Sequence, residues 1–127
     1  MARLIIDSSA LLAFMNPRDR HHKTIVKRLL QSDDLVSISV ITFSEALVHA
    51  YEVEKDDLVI RAIKNRVADI FDVSAPIAQI AAELRASAGL TLPDALIAAT
   101  AKVHSLRLLT FDRKLAAASA GAELLTS

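Results

Sequence analysis

The alternation of short aliphatic runs with longer segments of helical periodicity constrains the fold of this chain more than any other feature. Five runs read as strands, the last of them as an edge strand: 3–6, 35–40, 70–73, 107–109 and 123–125. Between the runs, apolar residues recur every three to four positions, as they do on one face of an amphipathic helix. Strands that alternate with helices predict a parallel sheet covered on both faces. We therefore expect an α/β fold, a three-layer α/β/α sandwich with a mostly parallel central sheet of four to five strands.

Local signals predict where several helices begin and end. Ser8 or Ser9 offers a cap for the helix that follows the first strand. Ser74 caps a later helix that carries proline in its first turn, and Gly89 is a natural stop for it. Thr91 then caps the next helix, which we expect to run to about position 104.

The amino-acid content excludes several kinds of functional site. The chain has no cysteine, which excludes disulfides, thiolate zinc sites and iron–sulfur clusters and fits a cytoplasmic location. Its only glycines, Gly89 and Gly121, cannot form a phosphate loop or a dinucleotide-binding fingerprint. Four Phe, one Tyr and no Trp predict an aliphatic core and argue against extended base-stacking surfaces. No apolar run approaches the roughly 18 residues of a membrane span, so we expect no membrane partner.

Basic and acidic residues are equal in number, fifteen of each, but they are unevenly distributed. Between positions 16 and 30 a single acid, Asp19, stands among seven Lys, Arg and His side chains. Such a stretch is either a solvated helix face or a surface that binds a polyanion. The candidate RNA-binding residues are Arg18, Arg20, Lys23 and Lys27, followed by Arg85 and Arg113.

Four acidic residues stand where a functional site of such a sheet would lie. Asp7 follows the first strand, and Asp112 closely follows the fourth. Glu45 lies in the first turns of the helix after the second strand, and Asp94 lies in the first turn of the helix after Thr91. Parallel α/β sheets place their sites beyond the carboxyl ends of the strands. The predicted fold therefore brings these four carboxylates to one edge.

Each acid alone has a structural explanation, because negative charge near a helix N-terminus is stabilised by the helix dipole. Together, four unpaired carboxylates would repel one another and their pKa values would rise. A divalent cation removes that cost, and oxygen ligands select Mg²⁺ or Mn²⁺ over zinc. Two such ions can flank a phosphate during hydrolysis. Apart from these acids, fifteen basic residues face eleven acidic ones, which suits a nucleic-acid substrate.

Four sequence blocks resemble the motifs of PIN-domain ribonucleases, in particular the VapC-type toxins of toxin–antitoxin pairs. They are residues 5–13 (IIDSSALLA), 44–46 (SEA), 92–101 (LPDALIAATA) and 108–115 (LLTFDRKL). The blocks follow the family's order and approximate spacing from about position 4 to 115. The first and third are fairly specific, whereas the second is weak alone.

The resemblance implies one PIN-like domain over residues 1–127, RNA cleavage dependent on Mg²⁺ or Mn²⁺, and a homodimer. By matching position, the catalytic and metal-binding residues would be Asp7, Glu45, Asp94 and Asp112. Asp7 and Asp94 are the first candidates for direct metal ligands. Ser9 and Thr110 match polar positions that order the site, whereas Phe111 departs from the family at a position that is often polar.

The resemblance also implies inhibition by a small antitoxin, encoded next to this protein. Its C-terminal segment would lie along the helices near Glu45 and Val59 and present an arginine to the acids. The predicted helix pair over 41–67 would supply an apolar groove. Its candidate residues are Leu47, Tyr51, Leu58 and Ile63. His49, four residues after Glu45, could share that helix face as a partner of its carboxylate.

Two other acidic α/β folds fit the sequence less well. A phosphoacceptor receiver domain shows paired acids after its first strand and a lysine after its last, whereas Ser8 and Ser9 follow Asp7 and Thr110 leads to Asp112. A haloacid-dehalogenase-like phosphatase needs an Asp where Ser9 stands. A third alternative stays open, a PIN fold that binds RNA or a protein without catalysis.

Overall fold

A computed structural model describes residues 2–126 and contains one five-stranded sheet in which every neighbouring pair of strands is parallel. The strands are β1 (Arg3–Ile6), β2 (Leu35–Ser39), β3 (Asp69–Phe71), β4 (Arg107–Thr110) and β5 (Glu123–Leu124). The helices of this part of the chain are α1 (Ser8–Met15), α2 (His22–Leu30), α3 (Val40–Glu52), α4 (Asp56–Arg66), α5 (Ala75–Ala88), α6 (Leu92–Val103) and α7 (Arg113–Ala117). The predicted α/β fold is confirmed.

The central strand β1 shows why the molecule has three layers. Leu4 and Ile6 pack into a cluster with side chains from α1 to α4, whereas Ile5 packs into a second cluster with α5, α6 and α7. All three side chains are buried, because a parallel strand covered on both faces is apolar throughout. The sheet is therefore the middle layer of an α/β/α sandwich.

The strand order places β1 at a topological switch point. The order is β3-β2-β1-β4-β5, so the chain first builds outward from β1 to β3 and then returns to the other side of β1 to add β4 and β5. A crevice forms at such a point beyond the carboxyl ends of the two strands that flank it. Asp7 directly follows β1, and Asp112 follows β4 by one residue. Both therefore lie at the mouth of this crevice.

The helix caps confirm most of the local predictions and correct one of them. Ser74 caps α5, Gly89 ends it with a φ of +66°, and Thr91 caps α6. At α1, however, the cap is Asp7 and not Ser8 or Ser9, because the helix starts directly after the strand. The first residue before a helix is the one whose side chain can reach the free amides of the first turn.

β1 has the predicted bounds, and the ends of the other four strands differ from the predicted ones by one or two residues. β2 ends at Ser39, whose hydroxyl accepts a 3.1 Å hydrogen bond from the amide of Ile41 and so begins α3. The backbone of Leu125 bonds the carbonyl of Thr110 at 2.8 Å and holds the last segment against β4. Among residues 2–126, no helix combines the length and the apolar character needed to cross a membrane.

Arg28 of the basic segment has a structural role. Its guanidinium donates to the carboxylate of Glu123 at 2.7 Å and lies 3.6 Å from that of Asp34. These contacts tie α2 to β5 and to the turn before β2 and account for part of the local excess of positive charge. Arg28 was not among the candidate RNA-binding residues, and the structure gives no reason to add it.

Candidate active site

Asp7 is a buried carboxylate with both oxygens engaged. Its side chain is 4 % exposed. Oδ1 accepts a 2.9 Å hydrogen bond from the amide of Ala10, and Oδ2 accepts one of 2.6 Å from the hydroxyl of Thr110. The Thr110 oxygen in turn accepts a 3.0 Å bond from the amide of Asp112. One hydroxyl therefore joins the two acids that follow β1 and β4.

The environment raises the pKa of the Asp7 carboxyl above its ordinary value of 3.8. Burial is the main cause, since it removes water from the charged form. Hydrogen bonds from Thr110 and Ala10 lower this pKa in part. The negative charges of Asp94 and Asp112 raise it further, which places both acids within electrostatic reach of Asp7.

Asp94 connects the remaining acid to this group. It lies in the first turn of α6, half-buried, and its amide donates a 3.3 Å bond to the hydroxyl of Thr91. Burial raises the pKa of its carboxyl, and hydrogen bonding with Thr91 lowers it in part. The charges of Asp112 and Glu45 raise it again. Each of the four predicted acids therefore lies within electrostatic reach of at least one other, with Asp94 linking Glu45 to the rest.

Glu45 is held by a residue that the sequence analysis did not assign to the site. The hydroxyl of Ser8 donates a short hydrogen bond to Oε1 of Glu45 and lies 3.4 Å from the hydroxyl of Thr42. Thr42 stands three residues before Glu45, so both occupy one face of α3. Ser9, the predicted ordering residue, is exposed and makes no side-chain hydrogen bond with residues 2–126. The serine next to Asp7 was a usable signal, but only the packing of α1 against α3 selects Ser8.

Helix capping explains why a polar residue stands at Asp7 and at Asp112, but not why that residue is charged. Asp7 caps α1 and Asp112 caps α7 through a 3.1 Å bond from the amide of Leu115. Three other helices, α3, α5 and α6, are capped by neutral hydroxyls. A buried carboxylate with a raised pKa costs stability that a Ser or Thr cap would not, and such groups cluster at functional sites. Capping alone therefore does not account for a carboxylate at Asp7, which indicates a functional role for its charge.

A divalent cation fits the donor set. Every side chain of the cluster offers carboxylate oxygen, the ligand that Mg²⁺ and Mn²⁺ prefer. Among residues 2–126, none of the four acids is paired with a cationic side chain, so their charge is uncompensated. In the same part of the chain, no three acidic or histidine side chains are gathered closely enough to form a metal-binding group. The carboxylate oxygens therefore suit a divalent cation chemically. Among the described residues, however, they are not close enough together to form a complete set of ligands.

Two basic side chains hold the loop that precedes Asp94. The ammonium of Lys114 donates to the carbonyl of Gly89 at 2.8 Å, and the guanidinium of Arg85 donates to that of Leu90 at the same distance. These carbonyls lie between α5 and α6, so both contacts fix where α6 begins. Sequence reasoning missed Lys114 because its partner is 25 residues away in the chain. Arg85, a candidate for RNA binding, is exposed but uses one nitrogen for this loop.

Three of the other basic candidates line two separate concave surfaces, and the remaining two line neither. Arg18 lines a groove formed by α1, α3 and α4, whereas Arg20 and Arg113 line a separate cavity beside β5. Lys23 and Lys27 are exposed on α2. The groove is lined by six apolar and five polar residues, which come from the three helices and from the segments that follow α1 and α3. They are Leu12, Met15, Asn16, Arg18, Asp19, Ala46, His49, Ala50, Val53, Lys55 and Val59.

The groove of about 760 Å³ agrees only in part with the predicted one. Tyr51 and Leu58 are 58 % and 59 % exposed, but neither they nor Leu47 line it. Ile63 is 1 % exposed and belongs to the core, so its assignment to a partner surface is wrong. Five residues separate it from Leu58, which puts the two side chains about 140° apart on the helix. His49 lines the groove and makes no hydrogen bond to Glu45.

Comparison with known proteins places this fold in context. The family model of the PIN domain matches residues 4–121. A toxin–antitoxin complex from Klebsiella pneumoniae has a chain with 28 % identity and a TM-score of 0.81, covering 94 % of this chain and 95 % of its own. FitAcB from Neisseria gonorrhoeae has 24 % identity and a TM-score of 0.74, covering 95 % and 96 %.

A third similar structure comes from Mycobacterium tuberculosis. It is VapC20, a sarcin–ricin loop cleaving toxin, with 18 % identity and a TM-score of 0.74 over 91 % of this chain and 94 % of its own. At that identity the likeness concerns the fold alone. Among curated proteins, no sequence matches the chain.

Proposed function

Because this chain belongs to the PIN domain family, we propose that it is a ribonuclease dependent on Mg²⁺ or Mn²⁺ that acts as the toxin of a toxin–antitoxin pair. The observation that carries this proposal is the buried Asp7 carboxylate at the switch point of the sheet, within electrostatic reach of Asp94 and Asp112, with Glu45 within reach of Asp94. A site with that charge and no internal cation is suited to divalent metal. We also propose that residues 1–127 form one PIN-like domain and that the protein acts in the cytoplasm on cellular RNA.

In this proposal, the carboxylates of Asp7, Glu45, Asp94 and Asp112 hold the metal. When bound, the cation would supply positive charge to the phosphodiester and lower the pKa of water for attack. Thr110 orients Asp7 through Oδ2, and Ser8 orients Glu45. Such hydrogen bonds keep ligand oxygens in place before the metal arrives.

The backbone on both sides of Asp7 belongs to regular secondary structure, which holds this residue in place. Asp7 lies between the buried residues 4–6 of β1 and the first turn of α1, where it accepts a bond from the amide of Ala10. Its carboxylate therefore has little rotational freedom, so its oxygens are pre-organised. Asp112 and Glu45 are exposed and stand on the solvent side of the site, where RNA would enter.

The proposed protein partner is a small antitoxin that occupies the groove between α1, α3 and α4. The similar structure from Klebsiella pneumoniae is described as a toxin–antitoxin complex, which supports the class of partner. The groove offers apolar side chains such as Val53 and Val59. An antitoxin arginine can bind the uncompensated carboxylates in a bidentate manner and neutralise the charge that metal would otherwise balance. We further propose that the protein forms a homodimer.

Cleavage of total bacterial RNA by the purified protein tests the enzymatic proposal, since such RNA contains transfer, ribosomal and messenger species. We expect cleavage with Mg²⁺ or Mn²⁺, none with EDTA, and none by Asp7→Asn. Asp69→Asn is the matched control, because Asp69 is an exposed acid at the start of β3. If the wild-type protein binds RNA but cleaves none of it under any metal condition, the chain is a binding module of the PIN fold instead.

A further inference from the structure

A cavity of about 360 Å³ beside β5 holds charges and rings that the acidic site does not use. Arg20, His21, Phe111 and Arg113 line it together with residues 124–126. We propose that this cavity is a subsite for one nucleotide of single-stranded RNA, with a phosphate between the two guanidinium groups and a base against the paired rings. The inference rests on the proposed function and concerns where the RNA strand continues beyond the acidic site.

The two guanidinium groups provide the charge for a phosphate. Arg20 lies in the turn before α2 and Arg113 is the first residue of α7, and both are exposed. Neither forms an ion pair with any acid of residues 2–126. Glu123, which precedes the cavity residue Leu124, is already bound to Arg28. Two guanidinium groups on one concavity, neither paired with an acid of the described residues, supply positive charge and donors suited to a phosphate.

The paired rings provide a surface for a base. The imidazole of His21 stacks on the ring of Phe111 with 4.1 Å between centroids and 19° between planes. Phe111 also packs against the core cluster of α1 and α2, so the pair is anchored from behind. Nε2 of His21 accepts a 3.2 Å bond from Nε of Arg20, which orients the imidazole. Unpaired RNA bases stack on such rings and on arginine planes.

The position of the cavity connects it with the acidic site. Phe111 and Arg113 are the covalent neighbours of Asp112, and Thr110 immediately before them binds Asp7. A strand whose phosphodiester lies at the acids can therefore place a neighbouring nucleotide in the cavity. The cavity shares no residue with the groove of α1, α3 and α4, so the proposed RNA subsite and the antitoxin groove are separate surfaces.

The charge arm of the test measures binding of a fluorescein-labelled, mixed-sequence RNA 12-mer by fluorescence anisotropy across a KCl series. EDTA is present, so that binding is measured without cleavage. Arg20→Gln with Arg113→Gln should weaken binding and lower the salt slope of log affinity by about 0.7 for each lost phosphate contact. The control pair, Arg61→Gln with Arg107→Gln, has the same change in charge outside the cavity and should leave the slope unchanged. An equal slope in wild type and cavity variant, or an equal loss in both pairs, overturns the proposal.

The ring arm uses Phe111→Leu, which keeps an apolar side chain against the core but removes the ring. Affinity for the 12-mer should fall roughly tenfold with no change in salt slope, because a stacking surface is lost and no charge is. Unchanged affinity contradicts the stacking role. Photocrosslinking of wild-type protein to a 5-iodouridine-labelled 12-mer does not depend on how well the variant folds. Crosslinks should map to His21 or Phe111, and crosslinks found only elsewhere overturn the subsite.

Failure of this inference and failure of the ribonuclease proposal give different results. If the wild-type protein cleaves RNA with Mg²⁺ while the cavity variants bind like wild type, the subsite is wrong and the enzyme assignment stands. If the wild-type protein does not cleave but both arms give the expected losses, the subsite stands and the catalytic proposal fails. If the arginine pair is needed for capture of the adjacent antitoxin and not for RNA, the cavity is a protein interface and the inference is overturned.

Discussion

The hydroxyl of Thr110 donates a 2.6 Å hydrogen bond to Oδ2 of Asp7 and joins two residues that are 103 positions apart in the chain. The bond is fully buried and links the carboxyl ends of β4 and β1 at the switch point of the sheet. This contact makes the position of Asp7 depend on the pairing of β1 with β4, in addition to the local bond from the amide of Ala10.

Thr110→Val removes this bond while it keeps the shape of the side chain. We expect a loss of ~1–3 kcal/mol in the free energy of unfolding, because the buried Oδ2 of Asp7 loses its donor and the amide of Asp112 loses its acceptor. The pKa of Asp7 should rise further, since the Thr110 bond lowers it. The acid limb of the pH–rate profile of RNA cleavage should therefore move to higher pH. Thr100→Val is the control, because its buried hydroxyl bonds the carbonyl of Leu96 within α6. An unshifted acid limb would contradict the role of Thr110.

The stability of the metal-free protein should fall as pH rises above about 3.8. Asp7 and Asp94 have raised pKa values, so the folded state binds more protons than the unfolded state between 3.8 and those values. The free energy of unfolding then decreases with rising pH across this window. Asp34, whose pKa is lowered, acts below 3.8 and in the opposite direction. Urea unfolding in EDTA measures the slope, and Asp7→Asn should reduce it; an identical slope in this variant would argue against the buried charge.

Divalent metal should stabilise the folded protein by mass action. At a metal concentration 100 times the dissociation constant, the gain is about 2.7 kcal/mol. Asp7→Asn should lose most of the increase in Tm, whereas Asp69→Asn should keep it. Thermal melting with millimolar Mg²⁺ or Mn²⁺ measures the effect. A wild-type Tm that does not respond, together with no binding by calorimetry, would remove the case for a metal site.

Asp94→Asn should separate catalysis from RNA binding. The substitution keeps size and hydrogen-bonding capacity but removes a charge that metal requires. Single-turnover cleavage should fall by more than the 10–100-fold that is usual for loss of an outer partner of a metal ligand. RNA affinity should persist or increase, because one negative charge that faces phosphate is gone. Asp57→Asn, in the first turn of α4, controls for loss of an acid near a helix N-terminus. Cleavage at the wild-type rate would show that the metal assignment is wrong.

Val53→Glu should prevent capture of the antitoxin. Val53 lines the groove and is 46 % exposed, so a glutamate there leaves the core intact. Burying its charge against an apolar partner would cost free energy and weaken binding. Co-expression with the adjacent open reading frame, followed by co-purification, measures capture. Leu30→Glu is the control, because Leu30 is 77 % exposed and lies outside the groove. Equal recovery of the partner with both variants would exclude this groove as its binding site.

The amino-acid sequence by itself determined the features that depend on neighbours along the chain. The helix caps at Ser74 and Thr91 and the helix end at Gly89 follow from contacts within a few residues. Whether a segment forms a strand or a helix also follows largely from its local pattern. The alternation of strands with helices was sufficient to predict a parallel sheet, and a parallel sheet was sufficient to predict that acids such as Asp7 would meet at one edge. Periodicity and capping depend on residues that are close together in the chain, so they can be recognised from the amino-acid sequence alone.

Only the tertiary structure decided which residues touch across that edge. The strand order β3-β2-β1-β4-β5 sets Asp7 beside Thr110. The packing of α1 against α3 selects Ser8 over Ser9 as the partner of Glu45, and the packing of α4 against the sheet buries Ile63 in the core. Tertiary packing also brings His21 against Phe111 to form the proposed RNA subsite. These relations come from packing of distant segments, whose pairing is chosen by the burial of whole helix and strand faces. No local pattern encodes them, because the free energy that selects them is shared over the entire core.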